Sequence, residues 1–198
     1  MFNREETHRM NLHSPDVQIQ GSDQALAFLK EGNARFVAGQ GMPRDTNITD
    51  RALTAEAQKP FAAIVTCADS RCAPELYFDQ KIGDIFVLRN AGNIADDSVI
   101  GSLEFGVAVL GVQVVIVVGH TQCGAVHNAH ADATGLPEKL QGVLDTIKPG
   151  IAGNNCKEDA VNDNVKVQMD ILANNETISA VPVMGANYDV ATGKVTFL

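Results

Sequence analysis

The sequence predicts an α/β fold, a mostly parallel central β-sheet flanked by helices with an N-terminal helical arm, on three observations. Three short runs, Phe61 to Thr66, Ile85 to Leu88 and Val114 to Val118, are nearly continuous in apolar residues, the pattern of strands buried on both faces. Between the second and third lies Ser98 to Leu110, a helical crossover of the length a βαβ unit needs. The chain of 198 residues is 45% hydrophobic, enough to bury a core without disulfides, so one domain over 1–198 is expected.

From the N terminus, Met1 to Gly21 shows no sustained apolar period and reads as an arm, mobile or laid on a partner subunit. Ser22 or Asp23 is expected to cap a helix over Ala25 to Val37, where Leu26, Leu29, Phe36 and Val37 recur at helical spacing and Gly39 to Gly41 end it. Thr46 to Lys59 is a polar, weakly helical stretch before the first strand. Beyond the third strand, Glu138 to Ile147 and Glu158 to Ala173 read as amphipathic helices. Val181 to Leu198 reads as a strand, a turn at Ala191-Thr192-Gly193 and a returning strand.

A net charge of −9 argues against binding a nucleic-acid backbone. The longest apolar run is too short to span a bilayer, and Met1 to Gln20 lacks the apolar stretch of an export signal, so neither membrane insertion nor secretion is expected. A cytoplasmic, reducing location follows, in which Cys67, Cys72, Cys123 and Cys156 stay free thiols or metal thiolates.

Ligands of open α/β sheets collect at the carboxyl ends of the strands. The first strand runs into Cys67-Ala68-Asp69-Ser70-Arg71, the second into Arg89-Asn90-Ala91-Gly92-Asn93, the third into Gly119-His120-Thr121-Gln122-Cys123-Gly124. Two sulfurs and an imidazole, Cys67, His120 and Cys123, match the donors zinc prefers, with a fourth position left for water. Spacing alone leaves the alternative open that both cysteines are buried apolar thiols and His120 a hydrogen-bonded core residue. Asp69 and Arg71, two apart, suit a charge-assisted pair, or equally an exposed salt bridge of small worth. His127 and His130 can relay protons or stand in solvent, and Cys72 is a competing ligand or a structural thiol. Cys156, in a polar stretch, reads as an exposed thiol.

From Ala25 nearly to the C terminus these motifs, in this order and spacing, resemble the β-class carbonic anhydrases. Glu31-Gly32-Asn33-Ala34-Arg35-Phe36 looks like that family's opening helix, Cys67-Ala68-Asp69-Ser70-Arg71 and His120-Thr121-Gln122-Cys123 like its zinc motifs, and Gly185 to Val190 like its closing strands. The resemblance implies a zinc-dependent carbonate dehydratase that hydrates carbon dioxide reversibly to bicarbonate and a proton. It implies zinc on Cys67, His120 and Cys123, and Asp69 paired to Arg71 beside the open position. It further implies Gln58 and the Gly124 backbone as donors to substrate, Phe86, Ala91 and Phe105 as an apolar pocket, and a homodimer or tetramer. Cys72 stands where many members have an aliphatic residue, Phe105 where tyrosine is frequent, and the stretch from Asp170 to Val181 is several residues short. Members shut by bicarbonate carry a tryptophan where this chain has Ile64.

The rival readings are a hydrolase of carbonyl sulfide or carbon disulfide at the same site, and a non-catalytic zinc protein whose fourth ligand is Asp69 or Cys72. A dinucleotide-binding domain ranks last, because G-x-G-x-x-G is absent after each strand.

Overall fold

A computed structural model of the protein describes residues 19–41, 48–153 and 156–198. Most of the N-terminal arm expected over 1–21 therefore lies outside the described residues. Four strands run parallel, β1 (Ala62–Cys67), β2 (Ile85–Asn90), β3 (Val115–His120) and β4 (Val183–Tyr188), and β5 (Val195–Phe197) returns antiparallel on β4. The sheet order is β2-β1-β3-β4-β5, which places β1 and β3 side by side at its centre. Every residue of both is buried, as their unbroken apolar runs require.

The helices are α1 (Gly21–Val37), α2 (Ile48–Thr54), α3 (Pro74–Tyr77), α4 (Asp97–Ala108), α5 (Gly124–His130), α6 (Glu138–Ile151) and α7 (Lys157–Ala173), with short 3₁₀ turns at Ala91–Asn93 and Ile178–Ala180. Strand alternation divides the core. Ala62, Ile64, Ile116 and Val118 pack against Phe28 and Leu29 of α1 on one face. Ala63, Val65, Val115 and Val117 pack against Leu103 of α4 and Val165 and Leu172 of α7 on the other. A third cluster caps the carboxyl edge of the sheet, where Val126 of α5, Leu144, Ile147 and Ile151 of α6 and Val161 of α7 surround Cys67 and Cys123.

Two boundaries differ from expectation. Neither Ser22 nor Asp23 caps α1. The helix begins at Gly21 behind Gln20, ahead of both, and the side chain of Gln24 reaches back to accept the Gln20 amide at 2.7 Å, a satisfaction of the first turn that a search for short capping residues does not reveal. Helix α6 continues a turn beyond Ile147, through Pro149, because Ile151 shares the buried stripe of Leu144 and Ile147. The shortened stretch before β4 leaves α7 intact at 17 residues.

Helix α7 approaches the sheet over two glycines. A Cβ on Gly119 of β3 would stand 2.6 Å from Val165 Cγ2 and 3.0 Å from Val161 Cγ1, and one on Gly185 of β4 would overlap Met169 Sδ. That approach seats α7 against β3 at the residue before His120. Gly119→Ala should therefore lower stability by about 1–3 kcal/mol through overpacking. Gly142→Ala, in the exposed interior of α6 with nothing within 4 Å of the new Cβ, should raise it by about 0.5–1 kcal/mol. Urea midpoints at constant m-value measure both, and a Gly119→Ala protein as stable as the parent would contradict the close approach.

Candidate metal centre

Cys67 ends β1 and His120 ends its neighbour β3, but by strand parity their side chains belong to opposite faces of the sheet. They converge at the carboxyl edge, where the chain leaves the sheet. After His120 the backbone reverses through Gln122, which adopts a left-handed φ of 58°, and this returns Cys123 over the strand ends as the residue preceding α5. The two sulfurs stand 4.0 Å apart, and the ligand atoms of Cys67, His120 and Cys123 all lie within 4.8 Å of one another. Among the described residues no other His, Cys, Asp or Glu joins this group.

The donor set fits a tetrahedral zinc ion. Two sulfurs bound at about 2.3 Å with tetrahedral angles would be separated by about 3.8 Å, close to the 4.0 Å found. His120 is fully buried, and its Nδ1–H faces the Thr121 carbonyl at 2.9 Å, which leaves Nε2 as the ring nitrogen that would ligate a metal ion. Among the described residues that Nε2 has no hydrogen-bond partner, a cost a buried nitrogen does not ordinarily bear without a ligand. The Cys67 thiol is drawn down to about 4, chiefly by the hydrogen bond with Cys123, aided by His120 and the amides of Gly92 and Asp69 against the opposing effect of burial. The Cys123 thiol, sharing that contact, is pushed up. Burial alone would lower His120, but the sulfurs of Cys67 and Cys72 outweigh it and raise the imidazole to about 10. A metal ion at this group would displace those protons, so its binding weakens as pH falls.

Asp69 Oδ2 stands 3.9 Å from His120 Nε2. Arg71 grips the same carboxylate in bidentate fashion, Nε to Oδ1 at 2.9 Å and a terminal nitrogen to Oδ2 at 2.7 Å, while the Arg71 amide also donates to Oδ1. These bonds, with the side-chain pair first among them, hold the carboxyl well below the usual carboxylate range. Arg89 was not given a role by sequence reasoning, yet its guanidinium donates to the carbonyls of Cys67 at 3.1 Å and Asp69 at 2.6 Å and so clasps the loop that bears both. The signal available was its place at the carboxyl end of β2. The Gly92 amide, 3.4 Å from Cys67 Sγ, is a second contact that sequence reasoning did not assign.

The remaining candidates fall into two groups. Ala91, next to Gly92, and Gly124, next to Cys123, adjoin the cluster. Gln58 does not: it is exposed in the segment before β1, at the opposite end of that strand from Cys67, about 20 Å of strand away. Phe86 is half-buried against Gly106 near the start of β2, and Phe105 is 46% exposed on α4. Cys72 is buried with Tyr77 and Tyr188 behind His120 and is not one of the three clustered donors, and Cys156 precedes α7 away from them. His127 and His130 lie one turn apart on α5, both partly buried.

A family model described as carbonic anhydrase matches residues 62–195, which contain all three clustered donors. Carbonic anhydrase 2 of Mycobacterium tuberculosis is 45% identical over 130 residues, covering 64% of this chain, and the chain spans 63% of that relative's length. The carbonic anhydrase of Mycolicibacterium smegmatis is 37% identical over 186 residues, covering 86% of this chain and 90% of that protein. Among solved structures, one of the tetrameric β-carbonic anhydrases of Sordaria macrospora superposes with a TM-score of 0.67 at 25% identity, covering 89% of this chain and 98% of that one. With the strand order, the cluster at the carboxyl edge and these relatives in agreement, the chain belongs to the β-carbonic anhydrase family.

Proposed function

We propose that the protein catalyses the reversible hydration of carbon dioxide to bicarbonate and a proton at a zinc ion held by Cys67, His120 and Cys123. The observation that carries this reading is the buried group of two sulfurs and an unpartnered imidazole nitrogen with an ionised carboxylate 3.9 Å away. The carbonic anhydrases it resembles support it. Zinc bound there supplies the Lewis acidity that makes hydroxide available near neutral pH.

The chain's own residues supply direction. Asp69, kept ionised by Arg71, can only accept a hydrogen bond, so it selects a nucleophile with one O–H to offer and turns the remaining lone pairs toward the substrate carbon. Arg71 also prevents the carboxylate from swinging onto the metal, since both of its oxygens are engaged. The carboxylate so held would not close a metal site as a further ligand, against the reading of a closed, non-catalytic zinc protein. The Gly124 amide receives charge that grows on the substrate oxygen, and Ala91 forms an apolar wall for uncharged carbon dioxide.

Gln58, Phe86 and Phe105 complete this pocket from a second subunit. Gln58 sits at the far end of β1 from its own Cys67, and Phe105 presents an aromatic ring at the surface, as an interface would use. A two-fold dimer places each Gln58 at the partner's site, and the tetrameric Sordaria relatives make a dimer of such dimers the fitting assembly. No helix among the described residues is long and apolar enough to cross a membrane. A reducing compartment such as the cytoplasm suits two sulfurs 4.0 Å apart, which an oxidant would couple.

Purified protein should contain about one zinc per chain. Cys67→Ser and Cys123→Ser should each lose it, while Cys156→Ser keeps it. Elemental analysis after gel filtration reads all three, and full zinc in both ligand variants would remove the reading.

The rate of carbon dioxide hydration should climb from neutral toward alkaline pH. Two thiolates would offset the charge of a bound zinc ion, so water there would lose its proton less readily than at a cationic centre. Asp69 is ionised throughout that range and contributes nothing to the rise. Asp69→Asn should depress the rate at every pH while a rise with pH remains, and Arg71→Ala should depress it about a hundredfold or more while zinc stays bound. Stopped-flow hydration between pH 6 and 9 measures these effects. A rate independent of pH would contradict the mechanism, and faster turnover of carbonyl sulfide or carbon disulfide would replace the substrate.

A further inference from the structure

Helix α7 carries two buried amides that the reaction has not used. Asn164 and Gln168 lie one turn apart, 1% and 0% exposed, among Val165, Leu172 and the strand residues of the core. All of their polar side-chain atoms are engaged, and the outward bonds lead to the loop after β2. Gln168 Oε1 accepts the Ala95 amide at 2.8 Å, Gln168 Nε2 donates to Asn164 Oδ1 at 3.1 Å, and Asn164 Nδ2 donates to the Gly92 carbonyl at 2.9 Å. The amide of that same Gly92 stands 3.4 Å from Cys67 Sγ. A continuous chain of hydrogen bonds thus runs from the middle of α7 to a clustered sulfur.

The receiving residue is constrained as well. Gly92 has a left-handed φ of 76°, and a Cβ there would stand 2.6 Å from Ile147 Cδ1. Only glycine lets the loop pass close enough to turn its amide onto the sulfur. Two primary amides inside an apolar core are costly unless fully satisfied, and apolar residues of the same size would serve packing equally well. Their complete pairing with one loop indicates a role in placing that loop.

We propose that Asn164 and Gln168 are positioning residues of the metal centre: they hold the Gly92 amide against Cys67 Sγ and thereby set how much charge that sulfur donates to the metal. This rests on the reading of the site as a zinc centre. An amide donated to a thiolate withdraws electron density from the sulfur, so the ion keeps more of its positive charge than two bare thiolates would leave it. Releasing Asn164 from the Gly92 carbonyl frees the turn at Ala91–Asn93 and lets the amide leave the sulfur, which becomes a stronger donor to a less ordered site.

The test compares the full-length parent with Asn164→Ala, Gln168→Met and, as a control of equal burial on the same helix, Leu172→Ala. Each is loaded with cobalt(II) for absorption spectroscopy and with zinc for affinity titration against a chromophoric chelator. Both amide variants should move the sulfur-to-cobalt charge-transfer band to longer wavelength and weaken zinc binding about tenfold or more. Leu172→Ala should unfold at lower urea but leave both readings at parental values. Amide variants with the parental band and affinity, or a Leu172→Ala protein with the same shifts, would overturn the proposal. A parent that takes up neither metal would instead remove the zinc reading, and this inference with it. Should Asn164→Ala fail to fold, Gln168→Met decides, since methionine keeps the volume while removing both the bond to Asn164 and the bond to Ala95.

Discussion

The structure turns on holding two sulfurs 4.0 Å apart beside a buried imidazole nitrogen that has no hydrogen-bond partner among the described residues. Neighbouring parallel strands alone cannot do this, because Cys67 and His120 lie on opposite faces of the sheet by parity. The donors meet only beyond the strand ends, and the third has to be returned there by the left-handed backbone at Gln122. An apolar cap of α5, α6 and α7 residues then covers the sulfurs from water. Glycines at 119 and 185 let α7 settle close enough to form part of that cap.

Around the donors lies a layer that acts on their placement. Arg71 fixes the Asp69 carboxylate from the side, and Arg89 ties down the carbonyls of Cys67 and Asp69 from the neighbouring strand. The Gly92 amide reaches the sulfur from the loop after β2, itself anchored to α7 through Asn164 and Gln168. The three contacts come from the loop after β1, from β2 and from the loop after β2, the last backed by α7. The other polar anchor serves a different end: Asn33 of α1 bonds Tyr77 and Gly193 and fastens the first helix to the distant hairpin of β4 and β5, on the opposite face from the sulfurs.

The strands and the two clustered donors that end them, Cys67 and His120, were legible because their signals are local. An unbroken apolar run such as Val114 to Val118 has few uses other than a strand covered on both faces, and a cysteine or histidine at the end of such a run is placed by that fact alone. Asp69 and Arg71 sit two apart, and the observed bidentate pair is what that spacing permits. What stayed hidden depends on tertiary neighbours. The start of α1 relies on Gln24 reaching back four residues, and the end of α6 on the burial of Ile151 beyond a proline. Asn164 and Gln168, one turn apart on an amphipathic helix, look in sequence like part of its wet face, and only packing against the sheet shows them to be dry.

An open zinc centre with two sulfur ligands, as proposed, is examined most directly by zinc-edge X-ray absorption on the purified protein at neutral pH. Two sulfur scatterers at about 2.3 Å are expected, with two nitrogen or oxygen scatterers at about 2.0–2.1 Å, one of the latter being exchangeable solvent. Three sulfur scatterers would bring Cys72 into the first shell and close the site. A shell without sulfur would contradict the assignment of Cys67, His120 and Cys123 altogether.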